Sequence, residues 1–102
     1  MFLREDNRMP LKLKFIGALR QISGKTQVTV NYQSGMSLKD LVAKISQDMP
    51  QLQKIFGDTQ FNDSRSNALV LINGREISVL NGLETKLDEG DEIVFVPVVH
   101  GG

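Results

Sequence analysis

Residues 34–50 read SGMSLKDLVAKISQDMP, and within them the spacing of apolar residues changes. Leu38, Leu41, Val42, Ile45 and Met49 recur at helical intervals and fall on one face. Ser37 is a good N-cap, and Asp40 follows three positions later, close to a capping box. Pro50 closes the helix or opens a new turn. This amphipathic helix fixes the architecture, because the segments on both sides of it carry the period of strands.

Upstream, LKLKF at residues 11–15 places Leu11, Leu13 and Phe15 on one face and Lys12 and Lys14 on the other, a half-buried strand. Gly17 and the SGK of residues 23–25 punctuate the chain. QVTVNY at 27–32 alternates again with Val28, Val30 and Tyr32 inward, so the two strands read as an antiparallel hairpin with a loop between them.

Downstream of the helix, Leu52, Ile55 and Phe56 suit a short further turn before Gly57. The polar stretch GDTQFNDSRSN at 57–67 reads as a surface loop. ALVLI at 68–72 is a continuous apolar run ended by the turn pair Asn73-Gly74. REISV at 75–79 reads as a short return, Asn81-Gly82 as a second turn, and ETKL at 84–87 as a short edge strand. DEGDE at 88–92 is a turn in which Gly90 takes the positive φ. IVFVPVV at 93–99 is the last strand. Its apolar residues are consecutive, which predicts a middle strand covered on both faces, and Pro97 ends its regular pairing. The order strand, strand, helix, strand, short strand, strand predicts an α+β fold, a mixed sheet with one main helix packed across it. Residues 1–10 are read as a flexible N-terminal extension, 11–97 as the domain and 98–102 as a flexible tail.

The bulk properties narrow the function. A chain of 102 residues is one domain. Its 12 basic and 12 acidic residues cancel, which argues against direct nucleic-acid binding by counterion release. The chain has no cysteine, so no disulfide framework points to secretion. No apolar run suits a signal peptide or a membrane span, and the cytoplasm is the expected compartment. The charges are uneven. Arg4, Arg8, Lys12, Lys14, Arg20 and Lys25 make the first quarter basic, while Glu84, Asp88, Glu89, Asp91 and Glu92 make the approach to the C-terminus acidic. Two solvated faces in weak attraction explain this; so does an acidic patch beside the tail that steers a basic partner.

Catalytic residues are scarce. A thiol nucleophile is excluded, and His100, the one histidine, sits too near the terminus for a serine triad, which needs a rigid scaffold. INGREI at 72–77 lacks the P-loop pattern, and no residues have metal-ligand spacing. What remains is the ending VVHGG. At average glycine usage, two terminal glycines arise by chance in about 0.5% of chains. Glycine has no Cβ, so Gly101-Gly102 can thread a narrow channel and carry a free carboxylate into another protein's active site. There ATP could activate it as an acyl-adenylate.

VLING at 70–74, followed by LDEGDEIVFVPVVHGG at 87–102, resembles the closing signature of the ubiquitin-like sulfur-carrier proteins, and KLKFIGALRQISGK at 12–25 resembles their first strand and loop. That family includes the small subunit of molybdopterin synthase (MoaD), ThiS and the ubiquitin-related modifiers. The resemblance implies a β-grasp fold. It implies a carrier or cosubstrate rather than an enzyme, with no bound cofactor and with ATP used by a partner adenylating enzyme of the ubiquitin-activating type. It implies that Gly102 is adenylated and thiocarboxylated, and that its sulfur passes to an acceptor such as a molybdopterin synthase large subunit or a tRNA-thiolating enzyme. In some relatives the activated glycine is joined to lysines of target proteins instead. Two further readings therefore stay open: a protein modifier attached through Gly102, and a non-covalent docking module. Paired prolines, usual in the molybdopterin type, are replaced by Pro97 alone, and the HGG ending is closer to the ubiquitin-related modifiers. Gly101, His100, Val99 and Val98 would thread the partner, although a tail histidine is ordinarily just exposed. Phe95, Val96, Arg75 and Glu76 are expected on the partner surface.

Overall fold

The structure, a computed structural model, describes residues 8–52 and 68–97. Its elements are β1 (Leu11–Phe15), α1 (Ala18–Ser23), β2 (Gln27–Val30), α2 (Leu38–Asp48), β3 (Ala68–Ile72), β4 (Arg75–Glu76) and β5 (Glu92–Pro97), with short 3-10 turns at Pro50–Leu52, Ile77–Val79 and Gly82–Glu84. The strands form one mixed sheet in the order β2-β1-β5-β3-β4. β1 pairs antiparallel with β2 and parallel with β5, and β3 is antiparallel to both β5 and β4. The last strand is therefore central, as its apolar run predicts. The sheet with its crossing helix is the expected α+β, β-grasp arrangement.

The alternation in β1 does what its pattern requires. Leu11, Leu13 and Phe15 are buried, and their partners across the sheet are Val30, Val28 and Phe95. Phe15 and Phe95 stack with ring centroids 5.7 Å apart. Leu38, Leu41, Val42 and Ile45 of α2 close the core over that face. Met49 ends the helix and packs half-buried against the core. Ser37 caps α2: its hydroxyl accepts from Asp40 N at 3.3 Å, and Asp40 Oδ2 accepts from Ser37 N at 2.9 Å. The hydrogen bond from the Ser37 backbone holds the Asp40 carboxyl below its usual range. Ser37→Ala is expected to cost about 1 kcal/mol. For a domain of this size that lowers the thermal midpoint by roughly 5 °C, a shift calorimetry would register.

Four sequence expectations change. The segment ALRQIS, read as part of a loop, is helix α1. Leu19 buries its side chain there, and Gly24 ends the helix at φ 76° with its N–H bonded to Arg20 O. REISV is a strand only at Arg75–Glu76 before it tightens into the 3-10 turn Ile77–Val79. ETKL is not an edge strand: it contributes a single antiparallel bridge, Lys86 to Ser37, made by Leu38 N donating to Thr85 O and Leu87 N to Met36 O. Finally, β5 is not covered on both faces. Ile93 and Phe95 are buried, whereas Val94 and Val96 on the other side are only half-buried. α2 packs on one side of the sheet, and among the described residues no second layer covers the other.

The last residues of the expected N-terminal extension join the folded body. Met9 N donates to Glu89 Oε1 at 2.8 Å, Gly90 N donates to Met9 O at 3.1 Å, and the Arg8 guanidinium lies 5.8 Å over the Tyr32 ring. The further turn expected at Ile55 and Phe56, and the surface loop at 57–67, lie outside the described residues.

Candidate functional site

Strand β5 runs from the acidic turn to the point where the tail begins, so it fixes where residues 98–102 start. Val98, Val99, His100, Gly101 and Gly102 themselves lie outside the described residues. The exit at Pro97 is built from three segments. The end of β1 leads into Ile16, whose N–H donates to Phe95 O at 3.0 Å. The loop into α1 contributes Gly17. β3 contributes Ala68, which pairs with Pro97.

Register sorts the expected partner-surface residues. Residues directly opposite in neighbouring strands share a face of the sheet. Leu69 pairs with Val96, Leu71 with Val94, and Lys14 with Val94 from the other side. These residues form an uncovered apolar strip of Leu69, Leu71, Val94 and Val96 that leads to the tail exit. Leu69 is 38% exposed, and Ile16 at the same end is also 38% exposed. Val96 thus lies where a partner can reach it. Phe95 does not: it is 0% exposed and belongs to the core with Phe15 and Val70. Consecutive residues of a strand point to opposite faces, so an adjacent pair could not both belong to the surface.

Arg75 and Glu76 separate for the same reason. Glu76 pairs with Leu71 on the outer face, whereas Arg75 pairs with Ile72 on the helix side. The Glu76 carboxylate is turned back on its own chain. It accepts from Ser78 N at 3.1 Å and from the Ser78 hydroxyl, and so caps the turn at Ile77–Val79.

The acidic stretch is not beside the point where the tail begins. It precedes β5, whose six residues (Glu92–Pro97) place it roughly 17 Å from the exit at about 3.3 Å per residue. The carboxylates of Glu89, Asp91 and Glu92 are engaged at that far end. Asp91 Oδ1 accepts from Asn73 Nδ2 at 2.8 Å, and Asp91 Oδ2 from Asp88 N at 2.8 Å. Asn73 Oδ1 accepts in turn from Glu92 N at 2.9 Å. Glu92 pairs with Lys14 at 2.8 Å, and the hydrogen bond and charge of Lys14 hold its carboxyl below the ordinary range. This small contribution to stability is present above the usual carboxylate range and fades as pH falls through the lowered value. The charge asymmetry of the sequence thus serves in part to join β1 to β5.

Leu69, Leu71, Val94 and Ile16 were not singled out by sequence. In runs such as ALVLI and IVFVPVV every position is apolar, so no alternation marks the outward set, and the strand register had to supply it. Among the described residues no group of His, Cys, Asp or Glu could hold a metal ion. No helix among them is long and apolar enough to cross a membrane.

The sequence and the fold both have relatives. The chain is 30% identical to ubiquitin-related modifier 1 of Schizosaccharomyces pombe over 100 residues, which span 92% of this chain and 100% of that protein. The solution structure of small archaeal modifier protein 1 from Methanosarcina acetivorans matches with a TM-score of 0.72 at 30% identity, over 93% of this chain and 98% of that one. The complex of subunits 1 and 2 of the molybdopterin-converting factor from Helicobacter pylori contains the same fold, with a TM-score of 0.59 at 22% identity over 92% of this chain and 100% of that one. A family match runs over residues 13–102, from β1 through the tail, and the chain belongs to the ThiS family, among the ubiquitin-like sulfur carriers and modifiers.

Proposed function

We propose that the protein is a sulfur carrier whose reactive group is the carboxylate of Gly102. What supports this reading above all is that the family match runs through residues 98–102. A carboxylate oxygen of Gly102 attacks the α-phosphorus of ATP in a partner enzyme of the ubiquitin-activating type, and pyrophosphate leaves. A sulfide-equivalent sulfur then attacks the acyl carbon, AMP leaves, and the terminus becomes a thiocarboxylate. ATP is the partner's substrate and binds no site on this chain. The sulfur acceptor is a second partner, a molybdopterin synthase large subunit or a tRNA-thiolating enzyme. The apolar strip of Leu69, Leu71, Val94 and Val96 gives such partners a surface beside the tail exit. The expected threading residues Val98, Val99, His100 and Gly101 follow directly from it.

A second reading is supported by the likeness to a ubiquitin-related modifier: the same adenylate is captured by a lysine amine of a target protein, forming an isopeptide bond. Intact mass spectrometry of the protein from its own cells separates the two. A gain equal to one oxygen exchanged for one sulfur, localised to Gly102, is the expected result for the carrier. Gly102 found only in isopeptide linkage makes the protein a modifier. An unaltered terminus that the activating enzyme and ATP also leave unchanged overturns both.

A further inference from the structure

Gly17 has a backbone that almost no other residue could adopt. Its φ of 59° and ψ of −134° lie outside the regions open to residues with a Cβ. A Cβ added there would lie 3.2 Å from Pro97 Cγ and 3.7 Å from Pro97 Cδ, so the proline ring rests against the bare Cα of Gly17. The two residues are eighty apart in sequence, and they meet where β5 gives way to the tail.

The hydrogen-bond register explains why a ring stands at this place. Lys12 N donates to Asp91 O at 2.9 Å, and Ile16 N donates to Phe95 O at 3.0 Å. The odd-numbered residues of β5 therefore address β1. Residue 97 is next in the series, and in a parallel ladder its nitrogen would face β1 to form the following bond. Proline has no N–H to donate. The ladder stops, and ring packing on Gly17 takes its place. On the other edge Pro97 still pairs with Ala68 of β3. The residue from which the tail departs is thus held from both sides, and its own φ is fixed near −65° by the ring.

We propose that Gly17 and Pro97 form a clamp that sets the direction of the C-terminal arm, and that Gly17 is a positioning residue for activation at Gly102. The inference rests on the reading of Gly102 as the activated group. Five residues reach at most roughly 17 Å, so the direction in which the chain leaves Pro97 limits where an arm drawn out in the partner's channel can bring its tip. Reacting atoms must approach to about 3–3.5 Å. The strip of Leu69, Leu71, Val94 and Val96 brings the partner to the sheet, while the clamp aims the arm once the partner is there. The two features therefore act on different kinetic constants.

The test is ATP–pyrophosphate exchange by the activating enzyme from the same cells, with the full chain as substrate. Pro97→Gly frees φ and removes the ring without touching the core. It is expected to lower kcat on the order of tenfold with KM for the carrier little changed and the thermal midpoint lowered by only a few degrees, because the unfolded chain gains freedom. Gly17→Ala pushes the ring aside and is expected to lower kcat similarly, with an added loss of thermal stability from the disfavoured backbone. In the double variant the new Cβ has no ring to displace, so kcat should match that of Pro97→Gly alone, the signature of two residues acting as one unit. Should Gly17→Ala fail to fold, Pro97→Gly decides the matter. Exchange by wild type together with unchanged kcat in Pro97→Gly overturns the clamp and leaves the Gly102 reading intact. Absence of exchange by the wild type overturns the Gly102 reading and the clamp with it.

Discussion

A chain lacking Gly102 is expected to fold as the full chain does and to lose activation by at least a hundredfold. Deleting the residue leaves a carboxylate on Gly101, so the reactive group survives and only its position changes. One residue shortens the arm by about 3.5 Å, as much as the whole separation allowed between reacting atoms, and misplacement of even about 1 Å can cost roughly a hundredfold. The fold has no stake in the outcome. The core, the capping box and the links between the Asn73 and Asp91 turns lie within residues 8–52 and 68–97. Gly102→Ala tests width instead of length, since its methyl group must pass wherever bare glycine passes. Pyrophosphate exchange measures the loss, and a thermal scan checks the fold. Wild-type exchange by the deleted chain would place the chemistry elsewhere in the molecule.

The sequence disclosed the elements better than it disclosed their faces. Helix α2 was legible because its signals agree: the apolar stripe of Leu38, Leu41, Val42 and Ile45, the cap at Ser37 and the stop at Pro50 all act locally. β1 was legible because Lys12 and Lys14 interrupt its apolar residues. β5 shows what local pattern leaves out. A run of apolar residues marks a central strand, yet it does not tell Phe95 from Val96, because their difference arises only when α2 covers one face. For the acidic residues at 88–92, too, position along the chain said little about position in space. The extended β5 carries the exit at Pro97 away from them, and hydrogen bonds from Asn73, Met9 and Asp88 engage the side chains of Asp91 and Glu89 far from it. Gly17 was visible only as punctuation. Its meeting with Pro97 depends on the parallel pairing of β1 with β5, which no local pattern announces. The pair Gly101-Gly102, by contrast, needed no fold to be noticed, since composition alone picks it out.

Phe95→Ala and Val96→Asp change adjacent residues and are expected to fail in opposite ways. Phe95 is buried on the central strand and stacked on Phe15, so truncation removes buried apolar area and leaves a cavity, at a cost of about 3–5 kcal/mol. Domains of this kind have only about 5–15 kcal/mol in total. The variant should therefore melt far earlier, and whatever fraction stays folded should dock its partners normally. Val96 lies half-buried on the uncovered face opposite Leu69. An aspartate there can keep its charge in water, so the free protein should lose little stability. Docking is different. A carboxylate pressed into an apolar interface is desolvated without a partner, and central contacts of this kind carry about 2 kcal/mol or more, which is a weakening of roughly thirtyfold or greater. KM for the carrier should rise by that factor while kcat at saturation stays close to wild type. This is the reverse of the pattern expected of Pro97→Gly. Titration calorimetry against the activating enzyme, set beside thermal scans of both variants, separates loss of fold from loss of surface. Unchanged affinity in Val96→Asp would move the partner surface away from the outer face of the sheet and leave the tail as the sole point of engagement.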